Sequence, residues 1–447
     1  MSSIVVEAKH TEIKEHFGLL FQAFEQSLNG QSAQPLHLIR QSALKRFSEE
    51  LDFPTRRDEA WKYTSVNRLL QGRYELGNAA DISAAAIQPF VPPFAEKHLL
   101  VFVNGIYQEQ LSQIGSLENG VVVASLKNAL QHPDNQEKIS PYLQEMAHSA
   151  NIFKVLNAAF LEQGSFVYVP KHTRLDRPVV VLHISTNATA AAFINHSNFL
   201  LMDIGSEATV VEGFFSLYDG DRADFTNINT VAALQRNARL THCRLQYENE
   251  QAFIVQNNSA QQGGDSVLTS IQVDLGASLV RNNLSAHLLQ SNTETHLYGI
   301  YFGKGTQHID NHTFIDHAPA HCQSNELYKG ILADSARGVF NGQVMVRKDA
   351  QKTNAFQQNS TLLASEKAIM DAKPQLEIFA DDVRCSHGAT IGQLDEQAVF
   401  YLRTRGLGEE QARSLLQHAF LFEVLEKMED DVIRNWIEGF INQKFEA

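Results

Sequence analysis

Two side chains suited to metal or sulfur chemistry lie near the C-terminal end of the sequence, between Pro374 and Gln393. Cys385 and His387 are two residues apart, so on an extended backbone they project from the same face. A thiol beside an imidazole suits a metal ion, a cluster or sulfur transfer. A structural interpretation competes with this one. A lone Cys in a strand is usually a small buried hydrophobe, and His387 could simply cap a turn at Gly388.

A second group of candidate ligands lies in the 308–322 segment: His308, His312, His317, His321 and Cys322, with Asp310 and Asp316 among them. Imidazole with carboxylate suits zinc, iron or copper. On an extended backbone His308 and His312 share one face, whereas His317 and His321 share the opposite one. No spacing in the segment matches a known zinc motif. Two hypotheses remain: a metal-dependent β-fold enzyme that uses this segment, and a run of stacked polar residues that binds nothing.

Composition and charge argue against several classes of protein. The 447 residues are enough for a large core and for two or three domains. A formal net charge of −14 argues against a general nucleic-acid binder, which needs a basic face. No apolar run is long enough to cross a membrane and no secretory signal is visible, so we expect a cytoplasmic protein. No Gly-rich phosphate loop is present, so the chain itself is not expected to hydrolyse ATP.

The cysteine content limits what the chain can bind alone. Its three cysteines, Cys243, Cys322 and Cys385, are too few and too scattered for a disulfide framework or a four-thiolate cluster site. An iron–sulfur cluster on this protein would therefore need thiolates from another subunit.

Helical periodicity is confined to the two ends of the chain. Residues 1–163 are mostly helical, with apolar residues at helical spacing over 11–72 and about 141–163. A strand is predicted near 99–104, where an apolar run ends in an Asn-Gly turn. Residues 394–447 contain two amphipathic helices, which must pack on the rest of the chain or on a partner.

Residues 164–393 have a different pattern, with short apolar runs between polar turns and no intervening helices. A turn residue, a small residue and a strand recur in that order at irregular spacing, for example at Gly205, Arg236 and Ser386. This pattern predicts an all-β body. From the pattern alone, a β-helix and a jelly roll fit equally well.

Several strings of the sequence resemble the SufB/SufD family of iron–sulfur cluster assembly proteins, on its SufD side. They are the Cys-Ser-His-Gly-Ala-Thr string within Pro374–Gln393, the stretch Pro54–Thr64, the Phe-Val-Asn-Gly string at 102–105, and the segments that begin at Tyr328 and Ala350. The resemblance covers nearly the whole chain. It implies a right-handed parallel β-helix core at 164–393, with a mostly helical region at 1–163 and a helical domain at 394–447. Trp61 and Tyr63 are expected to anchor the N-terminal helical region.

The same resemblance implies a function and a set of partners. The chain would be a non-catalytic scaffold subunit of an ATPase-driven complex, a heterodimer with SufB that carries the SufC ATPase on its C-terminal helices. His387 would face a SufB cysteine where a transient cluster forms, with Cys385 beside it and no resident metal. A homodimer is expected when SufB is absent. The resemblance also associates reduced flavin with the complex, without assigning it to a subunit.

Overall fold

A parallel β-solenoid forms the body of the protein, with helices against both of its sheets. The structure is a computed structural model that describes residues 3–28, 34–95, 97–186 and 190–446. The helices are α1 (Ser3–Ser27), α2 (Gln34–Glu49), α3 (Ala84–Ile87), α4 (Leu126–Ala129), α5 (Pro133–Ala147), α6 (Ile152–Ala159), α7 (Glu396–Thr404), α8 (Glu409–Leu425) and α9 (Asp431–Glu446). Short 3-10 turns occur at Glu59–Trp61, Leu69–Gln71, Gln88–Phe90 and Glu109–Leu111.

The chain contains twenty-two strands in its described part, and from residue 165 onward they follow one another with few interruptions. They are β1 (Glu75–Leu76), β2 (His98–Val103), β3 (Ile106–Tyr107), β4 (Gln113–Ile114), β5 (Val122–Ser125), β6 (Ser165–Val169), β7 (Val179–Ser185), β8 (Ala192–Met202), β9 (Glu207–Ser216), β10 (Phe225–Leu234), β11 (Arg239–Tyr247), β12 (Phe253–Gln262), β13 (Val267–Asp274), β14 (Leu279–Leu288), β15 (Glu294–Gly303), β16 (His308–His317), β17 (Gln323–Leu332), β18 (Arg337–Val346), β19 (Asn354–Leu363), β20 (Ile369–Ala372), β21 (Gln375–Ile378) and β22 (Arg384–Gly392).

From β6 to β20 successive strands alternate between two sheets, so each of these coils gives one strand to each sheet. The first sheet has the order β20-β18-β16-β14-β12-β10-β8-β6-β5, with β1 beside β8 and β21 beside β18. The second has the order β22-β19-β17-β15-β13-β11-β9-β7-β2-β3, with β4 beside β2. All pairs between β6 and β22 are parallel, whereas β3, β4 and β5 pair antiparallel. The predicted parallel β-helix with helical regions before and after it is confirmed.

The corners of the coils explain the recurrent turns in the sequence. Two positions before each of six strands in the second sheet, the backbone is left-handed, and the next residue is small and buried. The left-handed residues are Gly205, Asn237, Asp265, Asn292, His321 and Lys352. The turns predicted at Gly205 and Arg236 are such corners. The turn predicted at Gly388 is wrong, because Gly388 lies inside β22 and pairs with Gln358.

Apolar residues pack in the solenoid and on both of its outer faces. The N-terminal helices cover the first sheet with an aromatic cluster in which Phe17 packs against Phe193 at 5.0 Å between ring centroids. The C-terminal helices cover the second sheet, where Phe440 packs against Phe215, also at 5.0 Å. Strand β2 joins the second sheet, so part of region 1–163 belongs to the solenoid. The division at 163 and 393 stays a prediction.

The described helices include none with the length and apolar character needed to cross a membrane.

Candidate functional site

The last strand of the second sheet carries both residues of the Cys385–His387 pair. Within the described residues β22 pairs on one side only, with β19, so its other edge is open. Cys385 lies opposite Ala355 and His387 opposite Gln357. Ala355 and Gln357 are buried and point into the solenoid. Because side chains alternate along a strand, Cys385 and His387 continue these interior columns at the point where the coils end.

Cys385 is half-buried and packs against the small apolar cluster of the last coils, which includes Ala355 and Val346. Burial raises the pKa of the Cys385 thiol, and the backbone of Ala355 opposes this through a hydrogen bond. The thiol is therefore disfavoured as a thiolate. In this respect Cys385 behaves as the structural interpretation of the sequence expected.

His387 is exposed, and no hydrogen bond to another described residue involves its imidazole. Beneath it in the same column lies Gln357, which donates a hydrogen bond from Nε2 to Glu326 Oε2. Glu326 is fully buried, and this burial raises the pKa of its carboxyl to about 7, against an opposing hydrogen bond from Gln357. An exposed imidazole thus stands at the end of a buried polar column.

Glu326 and Gln357 are the residues of this column that sequence reasoning missed. The signal was present in the alternation of β17, where Ser324, Glu326 and Tyr328 share a phase and are all buried. A carboxylate in the inward phase of a strand departs from the usual apolar-inward pattern.

Apolar side chains surround the open end of the solenoid. Five large hydrophobic residues of the last coils remain exposed: Phe356, Ile369, Ile378, Phe379 and Ile391. Phe379 has the largest exposed fraction of the five, at 62%. An exposed apolar group of this kind beside an unpaired strand edge marks an interaction surface.

The 308–322 histidines do not converge on one point. His312 Nε2 lies 3.0 Å from Asp310 Oδ1. His317 faces the interior, where its Nε2 lies 2.9 Å from Ser324 Oγ. His321 lies at a coil corner with φ 64°, so the prediction that it shares a face with His317 is wrong. Among the described residues, no group of three His, Cys, Asp or Glu is arranged to hold a metal ion.

This segment instead anchors the Pro54–Thr64 stretch. Thr64 Oγ1 lies 2.8 Å from His308 Nε2 and also donates to Asp310. Arg281 binds Asp310 at 2.6 Å and covers the ring of Trp61 at 4.1 Å. Burial would raise the pKa of Asp310, but Arg281 and His312 outweigh it and hold that pKa well below its usual value. Two motifs that were separate in the sequence therefore form one structural joint.

Trp61 also packs against Phe153 of α6, with the ring centroids 5.6 Å apart. Its predicted role in anchoring the N-terminal helical region is confirmed. The same role for Tyr63 stays a prediction.

Comparison with known proteins gives the class of this solenoid. A family model described as "SufBD protein N-terminal region" matches residues 11–181, and one described as "SUF system FeS cluster assembly, SufBD core domain" matches residues 183–420. The chain therefore belongs to the SufB/SufD family of iron–sulfur cluster assembly proteins.

Individual relatives place it on the SufD side of that family. It is 30% identical over 394 residues to the iron–sulfur cluster assembly protein SufD of Escherichia coli, covering 88% of this chain and 89% of that protein. SufD of Bacillus subtilis is 28% identical over 340 residues, or 73% of this chain and 74% of the relative. A SufBD family protein of Synechocystis is 33% identical over 384 residues, or 85% of this chain and 84% of that protein. The predicted resemblance is confirmed.

Proposed function

We propose that this protein is a non-catalytic scaffold whose open solenoid end pairs with a SufB subunit in a cytoplasmic assembly complex. The observation that carries the proposal is the free edge of β22, which presents an exposed His387 among exposed apolar residues. A free edge offers unpaired backbone N–H and C=O groups to a strand of a partner. The apolar rim supplies area that an obligate interface would bury.

The nascent cluster is the cargo of this interface, and its ligands come from both subunits. Cys243 and Cys322 are buried, and burial raises the pKa of the Cys243 thiol to about 12, so this thiol stays protonated. His387 is the accessible nitrogen ligand at the open end. A neutral imidazole can replace a thiolate on cluster iron. A SufB cysteine facing His387 would supply the thiolate, while Cys385 supports the strand from its half-buried position. The proposal places reduced flavin on the complex and does not assign it to this subunit.

The C-terminal helices have one buried face and one free face, which supports SufC docking there. Leu421 and Val424 of α8 are buried against the second sheet, so the inner face packs on the protein's own body. The exposed large hydrophobics on the outer side are Phe400, Tyr401 and Leu415. The proposal assigns this outer face of α7 and α8 to the ATPase.

Replacing His387 by Ala tests the cluster role. We expect an intact complex with SufB and SufC that loses most of its cluster yield, because the removed group is a ligand rather than a packing element. Cluster content is measured by iron–sulfur absorbance of the reconstituted complex, and gel filtration checks assembly. His321→Ala, which removes another exposed imidazole, is the matched control. Normal cluster yield from an intact His387→Ala complex would overturn the role.

Introducing two negative charges on the outer face of α7 and α8 tests SufC docking. The double substitution Phe400→Asp and Leu415→Asp should abolish SufC capture while circular dichroism and SufB pairing stay unchanged. Leu38→Asp, at an exposed leucine of α2, is the control that should keep SufC. Retained capture by the folded double variant would contradict the docking assignment.

Without SufB, the same open end is proposed to pair with a second copy of this chain. Sedimentation of the isolated protein should then show a dimer that SufB converts into a heterodimer. The competing metalloenzyme hypothesis predicts about one bound metal per purified chain, lost on substitution of His308 and His312, whereas the scaffold needs none.

A further inference from the structure

A polar cleft lies between the α5–α6 turn and the outer face of the first sheet, and it extends to Lys373 and Gln375 at the start of β21. Its cavity volume is about 440 Å³, within the range of small-molecule sites. A second cavity of about 350 Å³ adjoins it and shares Ser149 and Lys154 with it. We call the larger one the amide cleft, and the residues that define it are Lys154, Asn257, Asn283, His312, Asn341 and Lys373.

One wall of the amide cleft is a ladder of side chains on adjacent parallel strands. Asn257, Asn283, His312 and Asn341 are successive register partners on β12, β14, β16 and β18. Neighbouring strands are about 4.8 Å apart, so these groups form a regular row of polar atoms. Such a row can bind several oxygens of one ligand at once.

The first amide of the ladder has a donor without an acceptor. Asn257 is fully buried, and its Oδ1 accepts hydrogen bonds from Asn151 Nδ2 at 2.8 Å and Asn283 Nδ2 at 3.1 Å. These two donors fix the orientation of the Asn257 amide. If the amide were flipped, its own NH2 group would point at the N–H groups of Asn151 and Asn283. Its Nδ2 finds no acceptor in the described part of the chain. A buried donor left unpaired is destabilising, and an acceptor atom of a ligand would relieve this cost.

A cation without a partner lies in the same cleft. Burial lowers the pKa of Lys154, and the charge of Glu145 opposes that shift. Glu145 is bound elsewhere, accepting from Gln261 Nε2 at 3.2 Å, and no described residue forms a hydrogen bond or ion pair with Lys154 Nζ. Lys373, at the other side of the cleft, pairs with Glu59. Two ammonium groups against one carboxylate leave the lining positive in a chain of net charge −14.

The N-terminus of α6 is not the source of this anion preference. Asn151 Oδ1 already accepts from the backbone N–H groups of Phe153 at 3.0 Å and Lys154 at 3.4 Å. Side-chain groups are therefore the donors that remain for a ligand, and Asn257 Nδ2 and the Lys154 ammonium are two of them.

We propose that the amide cleft binds a small anion with several oxygens, a phosphate ester or a polycarboxylate. One anionic oxygen pairs with Lys154, and another accepts from Asn257 Nδ2. The unpaired cation and the unpaired amide meet in one cavity, and this coincidence distinguishes the cleft from an ordinary solvated groove. The site lies on the outer face of the first sheet, whereas the proposed pairing uses the edge of β22 in the second sheet.

Calorimetric titration of the full-length chain with pyrophosphate and with citrate, at matched ionic strength, tests the proposal. We expect saturable binding of at least one of the two, and the preferred anion identifies phosphate or carboxylate as the recognised group. Lys154→Gln should weaken that binding at least tenfold.

A second variant removes only the unpaired donor. Asn257→Asp keeps the shape and the oxygen that accepts from Asn151 and Asn283, but replaces the Nδ2 donor by a negatively charged oxygen that would repel the ligand oxygen. It should abolish binding with little change in the fold, as checked by circular dichroism. Lys138→Gln on α5, an equal loss of charge outside the cleft, should bind like the parent chain. Absence of saturable binding of both anions, or equal affinity in Lys154→Gln and Lys138→Gln, would overturn the proposal.

Discussion

The two ends of the solenoid are finished in different ways. At the N-terminal end, the parallel order stops with antiparallel strands β3, β4 and β5. Beside it the helices bury an aromatic cluster around Phe17, which touches the rings of Phe47, Phe160, Phe193, Phe225 and Tyr74. At the C-terminal end, β20, β21 and β22 each pair on one side only within the described chain, and large apolar side chains remain in solvent.

The difference indicates which end stabilises the single chain and which end leaves apolar area exposed, as the proposed pairing requires. Burial of apolar area at a closed end stabilises the folded single chain, because this area is removed from water when the chain folds. An open end keeps its apolar area and its backbone donors for association, at the risk of self-pairing. Two aromatic residues of similar size, one at each end, should therefore behave differently on truncation.

The largest expected effect comes from Phe17→Ala at the closed end. Phe17 is fully buried, so its truncation should lower the free energy of unfolding by about 3–5 kcal/mol. Phe379→Ala at the open end should change it by less than about 0.5 kcal/mol, because that ring is mostly in solvent. Urea unfolding of the isolated chain measures both. Equal decreases in the free energy of unfolding for the two variants would contradict the distinction between the closed and the open end.

A smaller effect is expected from Glu326, whose folded pKa of about 7 lies above the ordinary value of 4.5 because the carboxyl is buried. The folded state holds this proton more tightly, so the stabilisation is complete below the unfolded pKa and is lost as the pH rises through about 7. Glu326→Gln cannot ionise. Its free energy of unfolding relative to the parent should rise by up to about 3 kcal/mol between about pH 5 and about pH 8. A difference independent of pH would show that Glu326 is ionised in the fold.

The closed end provides the contrast for this pH dependence. Glu212 is also fully buried, but hydrogen bonds from His183 and His242 outweigh burial and hold its pKa well below the ordinary value. A buried carboxylate with two imidazole partners is thus kept ionised, whereas one with an amide partner is kept neutral.

The smallest effect concerns the joint between the Pro54–Thr64 stretch and the solenoid. Thr64→Val removes the hydroxyl that contacts His308 and Asp310 and should cost about 1–2 kcal/mol of unfolding free energy. Ser65→Ala, at the exposed neighbouring position, should cost less than about 0.5 kcal/mol. Thermal unfolding of the Thr64→Val and Ser65→Ala variants measures the two costs. Equal unfolding midpoints of the two variants would show that the joint contributes nothing to stability.

The sequence was most informative where one local rule determined the structure. Alternation and turn residues predicted the β body, and the strand near 99–104 is β2 at His98–Val103. Helix limits were less accurate. The helical pattern over 11–72 ends at Glu49 in the structure, because the residues that follow form the joint to the solenoid rather than a third helix. The helix predicted at about 141–163 is two helices, α5 and α6, separated by the turn that lines the amide cleft.

The candidate site was predictable only in part. The common face of Cys385 and His387 follows from alternation along a strand, and the structure places both on β22. Their different exposure depends on where the coils stop, and Gln357 and Glu326 become neighbours of His387 only through parallel register across three strands. No local pattern contains that register.

The repeated left-handed corners make the solenoid modular in length. Each coil from Gly205 to Lys352 enters the second sheet through the same backbone conformation, and its strands pair only with those of the coils before and after it. Removal or duplication of one whole coil between two corners would leave the remaining hydrogen bonds in register. The distance from the closed end of the solenoid to His387 is therefore adjustable in steps of about 4.8 Å, one strand spacing per coil. Evolution or design can reposition the two ends relative to each other without rebuilding either of them.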